Sequence, residues 1–141
     1  MEKLPKELLS EDKNTRVSVA YEAETAVMKG KFQKKEHRKQ MGVFFSKGNS
    51  IEWNVCTGLV QVYALRFKYM NTSGKPIPVL MKFIDAKRVV LKEDIQIFPE
   101  TPDKWKMMST TTGTFINAGH YKVLLSADTM EGLAFDALDI Q

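Results

Sequence analysis

Cysteine is almost missing from this sequence, because Cys56 is the one cysteine among 141 residues. A single thiol excludes an internal disulfide and a thiolate metal cluster, since each needs more than one cysteine. Long apolar runs are missing as well, and none approaches the roughly 20 residues that a bilayer-spanning helix needs. The charged start of the chain, residues 1–14, lacks the apolar centre of a secretory signal. The sequence therefore indicates no membrane partner, and any export signal is expected outside this chain.

Groups for catalysis are scarce too. The two histidines, His37 and His120, have no second histidine or cysteine at metal-ligand spacing beside them in the sequence. We expect both on the surface, with His37 in a charged loop. Cys56 follows Trp53 in an apolar context, which favours a buried, structural thiol over a nucleophile. The isolated glycines form no phosphate-binding loop, so the sequence predicts a protein that is not an enzyme.

The 43% hydrophobic and 27% charged residues are typical of a globular protein with one core. The net charge is +4, and much of it is local. One short stretch contains Lys29, Lys31, Lys34, Lys35, Arg38 and Lys39. Clustered basic residues attract polyanions by releasing their counterions, so one hypothesis is that this stretch binds nucleic acid or an anionic polysaccharide. We favour the alternative, a solvated loop, and predict no nucleic-acid partner.

Apolar and polar residues alternate along much of the chain, which is the period of a half-buried β-strand. Residues 17–24 and 51–55 form two such segments, and the strongest alternation covers residues 59–69. Further strands are predicted at 79–84, 88–91, 106–112, 121–127 and 133–140. About eight short strands without a helix between them predict an all-β fold, an antiparallel β-sandwich or barrel. This domain is expected to span residues 15–141, with residues 1–14 as a linker or N-terminal extension.

Several short motifs follow one another in an informative order. They are Tyr21, Glu22, Ala23 and Glu24; then 48–55; 58–69; Trp105 before a threonine-rich strand; 117–125; and 132–138. In this order and spacing, residues 17–141 resemble carbohydrate-binding modules of families 6 and 35. In detail they are most similar to the C-terminal module of some Bacteroides-type family 2 glycoside hydrolases, especially β-galactosidase-like enzymes. The resemblance implies a jelly roll, galactose-binding-domain-like, that serves such an enzyme as a non-catalytic accessory module.

The resemblance also implies a structural calcium ion that joins the first and last strands. In these families the ligands are carboxylates of an opening Glu-Ala-Glu and of an aspartate in the final strand, which correspond here to Glu22, Glu24 and Asp136. Calcium prefers oxygen ligands, and side chains two residues apart on a strand point to the same face. We therefore expect Glu22 and Glu24 to share a face. Two solvated carboxylates on an edge strand are the alternative.

Glycan binding in these families uses an early aromatic residue, a tryptophan before a late strand and an asparagine near the last strand. Trp105 matches the tryptophan, and Phe44 lies near the early aromatic, where tyrosine or tryptophan is usual. The asparagine position falls at about Ala134, so this chain departs from the pattern there. The resemblance predicts Trp105 and Phe44 as the ligand-binding residues. Trp53 is expected in the core instead, because of its phase in the strand 51–55.

The sequence and the resemblance together indicate one function and one alternative. The function is glycan binding, with galactose-containing glycans as candidates, on behalf of the catalytic domain of a parent glycoside hydrolase. The alternative is a structural module that packs against that catalytic domain and binds no glycan. The missing amide at Ala134 favours the alternative, whereas Trp105 favours glycan binding. If the parent enzyme is exported, we expect an extracytoplasmic location, in the periplasm or at the cell surface.

Overall fold

The chain folds into two antiparallel β-sheets. The structure, a computed structural model, describes residues 19–46 and 49–141, so the predicted linker at residues 1–14 lies outside the described residues. The strands are β1 (Val19–Glu22), β2 (Val27–Lys29), β3 (Phe32–His37), β4 (Gln40–Phe45), β5 (Ser50–Thr57), β6 (Ala64–Asn71), β7 (Ile77–Asp85), β8 (Val90–Phe98), β9 (Lys106–Thr111), β10 (Gly119–Ser126) and β11 (Leu133–Ile140). The helical structure within these described ranges is one 3-10 turn, Ala23–Thr25, so no helix there is long and apolar enough to cross a bilayer.

The two sheets pack face to face. Sheet one has the strand order β3-β4-β11-β6-β9, with β1 beside the second half of β11. Sheet two has the order β2-β5-β10-β7-β8. Aromatic side chains fill the space between them, and Trp53 lies with its ring centroid 5.8 Å from that of Phe67 and 6.0 Å from that of Phe135. The predicted all-β, antiparallel β-sandwich with a jelly-roll fold is confirmed.

Strand β5 shows how the alternation builds this core. Ile51, Trp53 and Val55 point inward and are buried, as predicted. The other face of β5 points to solvent, and Cys56 lies on that face with an exposed side chain. The prediction of a buried Cys56 is wrong, because its apolar neighbours in the sequence belong to the opposite face of the strand.

The basic stretch at residues 29–39 forms most of a hairpin rather than the predicted loop. Strands β3 and β4 pair along their whole length, and Arg38 and Lys39 make the turn with φ angles of 50° and 66°. His37 therefore lies in a strand. The sequence pattern hides β3 because this edge strand of sheet one is exposed on both faces, so nothing requires its residues to alternate between apolar and polar.

Three other predicted strands have different bounds. Strand β6 begins at Ala64 rather than at Leu59, because the chain turns back and the Tyr63 hydroxyl donates to the Leu59 carbonyl oxygen at 2.6 Å. Strand β8 extends beyond its predicted end as far as Phe98, since an exposed edge strand shows little alternation. Strand β1 ends at Glu22, where the 3-10 turn begins. Strands β2 and β4 were not predicted, and the remaining predicted strands lie close to their observed positions.

Candidate functional site

The two predicted ligand residues, Phe44 and Trp105, lie side by side on the outer face of sheet one. Phe44 belongs to β4, and Trp105 stands directly before β9. Their ring centroids are 5.9 Å apart and their planes make an angle of 70°, so they meet edge to face. The two rings are in contact and leave no gap for a sugar between parallel faces. A sugar at this position has to pack on the outside of the pair.

Trp105 packs directly on Gly42 of β4. A β-carbon at Gly42 would lie 2.6 Å from the six-membered ring of Trp105, so this position has no room for a side chain. The indole Nε1 donates a hydrogen bond to the backbone carbonyl oxygen of His37 at 2.9 Å. The glycine and the hydrogen bond fix the orientation of the ring, and part of the ring remains exposed.

Asp103 joins the turn of the β3–β4 hairpin to the loop that carries Trp105. Its Oδ1 lies 2.8 Å from His37 Nε2, and its Oδ2 accepts a hydrogen bond from Arg38 at 3.0 Å. Arg38 Nε also donates to the Asp103 backbone carbonyl oxygen at 2.9 Å. Hydrogen bonds from Arg38, and then from His37, hold the pKa of Asp103 below its usual value. These contacts join the turn of the hairpin to the loop that carries Trp105.

A buried polar cluster around Asn71 supports the same loop from the side of the core. The Asn71 side-chain amide donates to the carbonyl oxygens of Lys75 and Phe98 at 2.8 and 2.9 Å, and its Oδ1 accepts the Ser73 N–H at 2.9 Å. Its backbone N–H donates to Thr101 Oγ1 at 2.9 Å. Asn71 thus connects the end of β6 with the loop between β8 and β9.

A cavity of about 210 Å³ opens beside Phe44. Its lining includes Gln33, Lys35, Phe44, Ser46, Thr72 and Leu133. Lys35 Nζ lies 4.6 Å from the centroid of the Phe44 ring, a cation–π contact. The amide of Gln33 and the hydroxyls of Ser46 and Thr72 provide hydrogen-bond donors and acceptors. An aromatic ring next to such groups is the combination that binds sugars, because it contacts both their C–H groups and their hydroxyls.

Ala134 occupies the position at which the resemblance implies an asparagine. It is buried in β11 and pairs in register with Phe44 on one side and Met70 on the other. A methyl group here supplies no hydrogen bond to a ligand near Phe44. Polar contacts to a sugar must therefore come from the cavity on the side of Gln33 and Ser46.

The predicted calcium ligands Glu22, Glu24 and Asp136 lie where β1 meets β11. Glu22 pairs in register with Ala137, the residue after Asp136. Glu24, however, belongs to the 3-10 turn that follows β1. The prediction that Glu22 and Glu24 share one face of a strand is therefore wrong, because the strand ends where Ala23 turns into the core.

Burial and mutual repulsion change the acidity of these carboxylates. Burial, followed by the charges of Asp136 and Glu24, raises the pKa of Glu22. Burial also raises the pKa of Asp136, although Lys68, with Nζ 3.4 Å from Asp136 Oδ2, acts in the opposite direction. Oxygen donors that repel one another suit a hard cation such as calcium. In the ranges 19–46 and 49–141, however, no three acidic, histidine or cysteine side chains are arranged to hold a metal, so the exposed Glu22 and Glu24 would have to rotate toward an ion.

Sheet two carries two features that the sequence analysis missed. Cys56 and His120 are cross-strand partners on β5 and β10, and Cys56 Sγ lies 3.1 Å from His120 Nδ1. They line a cleft of about 410 Å³. A groove of about 670 Å³ has charged side chains in its lining, namely Lys29, Glu52, Arg88 and Asp128. Both features depend on which strands are neighbours and in which register, and no local sequence pattern contains that information.

No protein-family profile matches the chain, and no curated protein matches it either. Solved structures do. The C-terminal family 6 carbohydrate-binding module of a marine laminarinase from Zobellia galactanivorans superimposes with a TM-score of 0.69 at 18% identity, covering 89% of this chain and 99% of that module. A family 35 carbohydrate-binding module from Clostridium thermocellum gives a TM-score of 0.69 at 21% identity, covering 89% of this chain and 98% of that one.

A larger protein contains the same fold as one of its parts. The isomalto-dextranase of Arthrobacter globiformis T6, solved with panose, gives a TM-score of 0.69 at 17% identity over 87% of this chain. The match spans 23% of that enzyme. These comparisons show that the chain has the jelly-roll fold of carbohydrate-binding modules of families 6 and 35.

Proposed function

We propose that this chain is a non-catalytic carbohydrate-binding module that holds a glycan at the edge of sheet one, beside Phe44 and Trp105. One observation carries the proposal: the fold brings these two residues into contact next to a cavity lined by hydrogen-bonding side chains. An exposed aromatic surface packs on the C–H groups of a sugar, and the neighbouring polar groups fix its orientation. The structures with the same fold are modules of, or parts of, proteins that act on glycans by their names, which supports the proposal.

The geometry suits a sugar that lies along the outside of the aromatic pair. Trp105 supplies a fixed ring, because Gly42 and the His37 carbonyl hold it. Phe44 continues this apolar surface toward the cavity, where Gln33 and Ser46 meet the sugar hydroxyls. Since rigid groups lose little conformational entropy on binding, a small site of this kind is sufficient for recognition of one or two sugar units along a chain.

Removing either aromatic side chain is the first test. We expect Trp105→Ala and Phe44→Ala each to weaken the retardation of the protein in affinity electrophoresis on β-linked galactans, or on the best ligand of a glycan array, by about tenfold or more, because the stacking surface is lost. Melting temperatures of both variants must be recorded, since Trp105 also packs on Gly42.

Phe115→Ala is the matched control for this test. Phe115 is the most exposed of the large apolar side chains in the described part of the chain, 72%, and lies in the loop between β9 and β10, away from the Trp105 end of β9. We expect Phe115→Ala to bind as the parent protein does. Equal binding by the parent, Trp105→Ala and Phe44→Ala would rule out this edge as the glycan site.

We further propose that Glu22, Glu24 and Asp136 hold a structural calcium ion. Two observations support it: these carboxylates lie where β1 pairs with β11, and burial, followed by the charges of Asp136 and Glu24, raises the pKa of Glu22. When bound, the ion would neutralise the cluster and tie β1 to β11. Lys68 would remain close to Asp136 as a counter-charge.

Calcium is therefore expected to stabilise the protein. At a free calcium concentration of about 100 times Kd, binding to the folded state alone adds about 2.7 kcal/mol, which raises the melting temperature by several degrees relative to a chelator. Asp136→Asn should abolish the increase, whereas Asp128→Asn, at an exposed position outside the cluster, should retain it. If calorimetric titration shows no binding and calcium leaves the melting temperature of the parent protein unchanged, the calcium proposal is wrong.

A second candidate function, a structural module that packs on a catalytic domain, is favoured by one observation. Leu59, Val60 and Phe115 are exposed by 68%, 62% and 72%, and the loops that carry them are joined by a bridge between Gln61 and Ile116. Four further points remain proposals from the sequence resemblance: a parent glycoside hydrolase of family 2, a galactose-containing ligand, a Bacteroides-type source and an extracytoplasmic location. A glycan array on which the folded protein binds nothing would favour this second function.

A further inference from the structure

The basic hairpin and the aromatic pair form one continuous surface, although they are separate in the sequence. The β3–β4 hairpin provides Phe44 and Gly42 beneath Trp105, and Asp103 joins its turn to the Trp105 loop. Lys35 of β3 therefore lies beside the proposed glycan site, with Lys31 and Lys39 at the two ends of the same hairpin strand, whereas Lys29 lies in β2 of sheet two. This placement gives the stretch a role that a solvated loop would not have.

Most of the positive charge of this stretch is not neutralised. The stretch contains six basic residues and one acidic residue, Glu36. Arg38 is paired with Asp103, but Lys34 reaches only a backbone carbonyl oxygen, that of Glu24, at 3.0 Å. Two more lysines of the hairpin, Lys31 and Lys39, have no ion-pair partner among the residues that the structure describes. A neutral sugar gains no charge–charge attraction from this excess of positive charge.

We propose that the glycan bound at this edge is acidic, with a carboxylate or sulfate group that Lys35 binds. Lys35 lines the cavity beside Phe44, and its ammonium group lies over the Phe44 ring. An anion in the cavity would accept a charge-assisted hydrogen bond from Lys35, which is stronger than a cation–π contact at an exposed site. This inference rests on the proposed function and specifies the class of its ligand.

The other lysines of the hairpin act over a longer range. Their charges raise the local concentration of a polyanion and release its counterions when it binds. A polysaccharide fits this surface better than a nucleic acid does, because the solved structures with this fold include carbohydrate-binding modules.

The test compares polymers that differ only in charge. Polygalacturonate is measured against its methyl-esterified form, and a sulfated galactan against the unsulfated one, by calorimetric titration of the full chain at low and at physiological salt. We expect at least one acidic polymer to bind about tenfold more tightly than its neutral counterpart, and this preference to fall as salt rises. The pair that shows the preference identifies the group as carboxylate or sulfate.

Single lysine variants locate the effect. Lys35→Gln should lose most of the preference for the acidic polymer and retain the binding of the neutral one, and Lys31→Gln should lose a smaller part of it. Lys87→Gln makes the same charge change at an exposed position between β7 and β8, and should behave as the parent does. If Lys35→Gln fails to fold, Lys31→Gln and the salt dependence still decide.

Three results would overturn the inference. Equal binding of acidic and neutral polymers through Trp105 overturns it and leaves the proposed function intact. Tighter binding of single-stranded DNA than of any acidic polymer, lost in Lys35→Gln, assigns the surface to nucleic acid instead. Binding of no glycan at all overturns the proposed function together with the inference.

Discussion

Gly42→Ala is expected to lower the free energy of unfolding by about 1–3 kcal/mol and to abolish glycan binding, although it removes no atom from the site. The new methyl group would lie 2.6 Å from the Trp105 ring and 3.3 Å from the backbone carbonyl oxygen of Phe135. Of these two neighbours only the Trp105 ring can move, because the carbonyl group belongs to the backbone of β11. Trp105 must therefore leave its position. Its hydrogen bond to the His37 carbonyl oxygen is then lost.

Chemical denaturation and the melting temperature measure the first effect, and affinity electrophoresis measures the second. Gly58→Ala is the matched control, since a β-carbon there meets nothing within 4 Å. We expect the control to change the free energy of unfolding by less than about 0.5 kcal/mol. A Gly42→Ala variant with the stability and glycan affinity of the parent protein would show that Trp105 is not held by Gly42 in solution.

Replacing Asn71 with alanine is expected to be the more destabilising change, by about 3 kcal/mol, because a buried group that loses its hydrogen-bond partner costs about 1–3 kcal/mol. The substitution leaves the carbonyl oxygens of Phe98 and Lys75 and the N–H of Ser73 without the Asn71 side chain. Phe98 is itself fully buried, so water replaces its lost partner poorly.

The Asn71 prediction also has a functional consequence. Since the Asn71 side-chain amide donates to the Phe98 carbonyl oxygen, at the end of β8 where the loop toward Trp105 begins, we expect Asn71→Ala to weaken glycan binding at temperatures at which the protein is still folded. Urea unfolding monitored by Trp53 and Trp105 fluorescence gives the stability. Asn117→Ala, at an exposed turn position, is the control and should stay within about 0.5 kcal/mol of the parent. A loss no larger than that of the control would contradict the prediction.

The sequence predicts strands well where one face of the strand is buried and the other is exposed to solvent. In β5, for example, the burial of Ile51, Trp53 and Val55 follows from their spacing alone. At the edges of the sheets this signal disappears, because β3 and most of β8 are exposed on both faces and their residues need not alternate. The buried role of Asn71 is hidden for a related reason: the local sequence Asn-Thr-Ser-Gly is typical of a turn and says nothing about the buried carbonyl groups that Asn71 satisfies.

The candidate site was predictable as a pair of residue types but not as a geometry. The resemblance named Phe44 and Trp105 as ligand-binding residues, which stays a prediction, and the structure places their ring centroids 5.9 Å apart. The resemblance did not predict that Gly42 holds the indole or that the basic stretch belongs to the same surface, because both depend on the pairing of β3 with β4. The pairing of Cys56 with His120 was missed because it depends on the register between β5 and β10.

Strand β11 gives the fold a particular order of assembly. It pairs with β1, β4 and β6, and Val19 at one end of the described chain is the partner of Ile140 near the other. While a ribosome is still producing the chain, β4 and β6 have open edges and no neighbour between them. Sheet one closes only after Ile140 has been made, and bringing together such distant segments places this fold among slow-folding topologies.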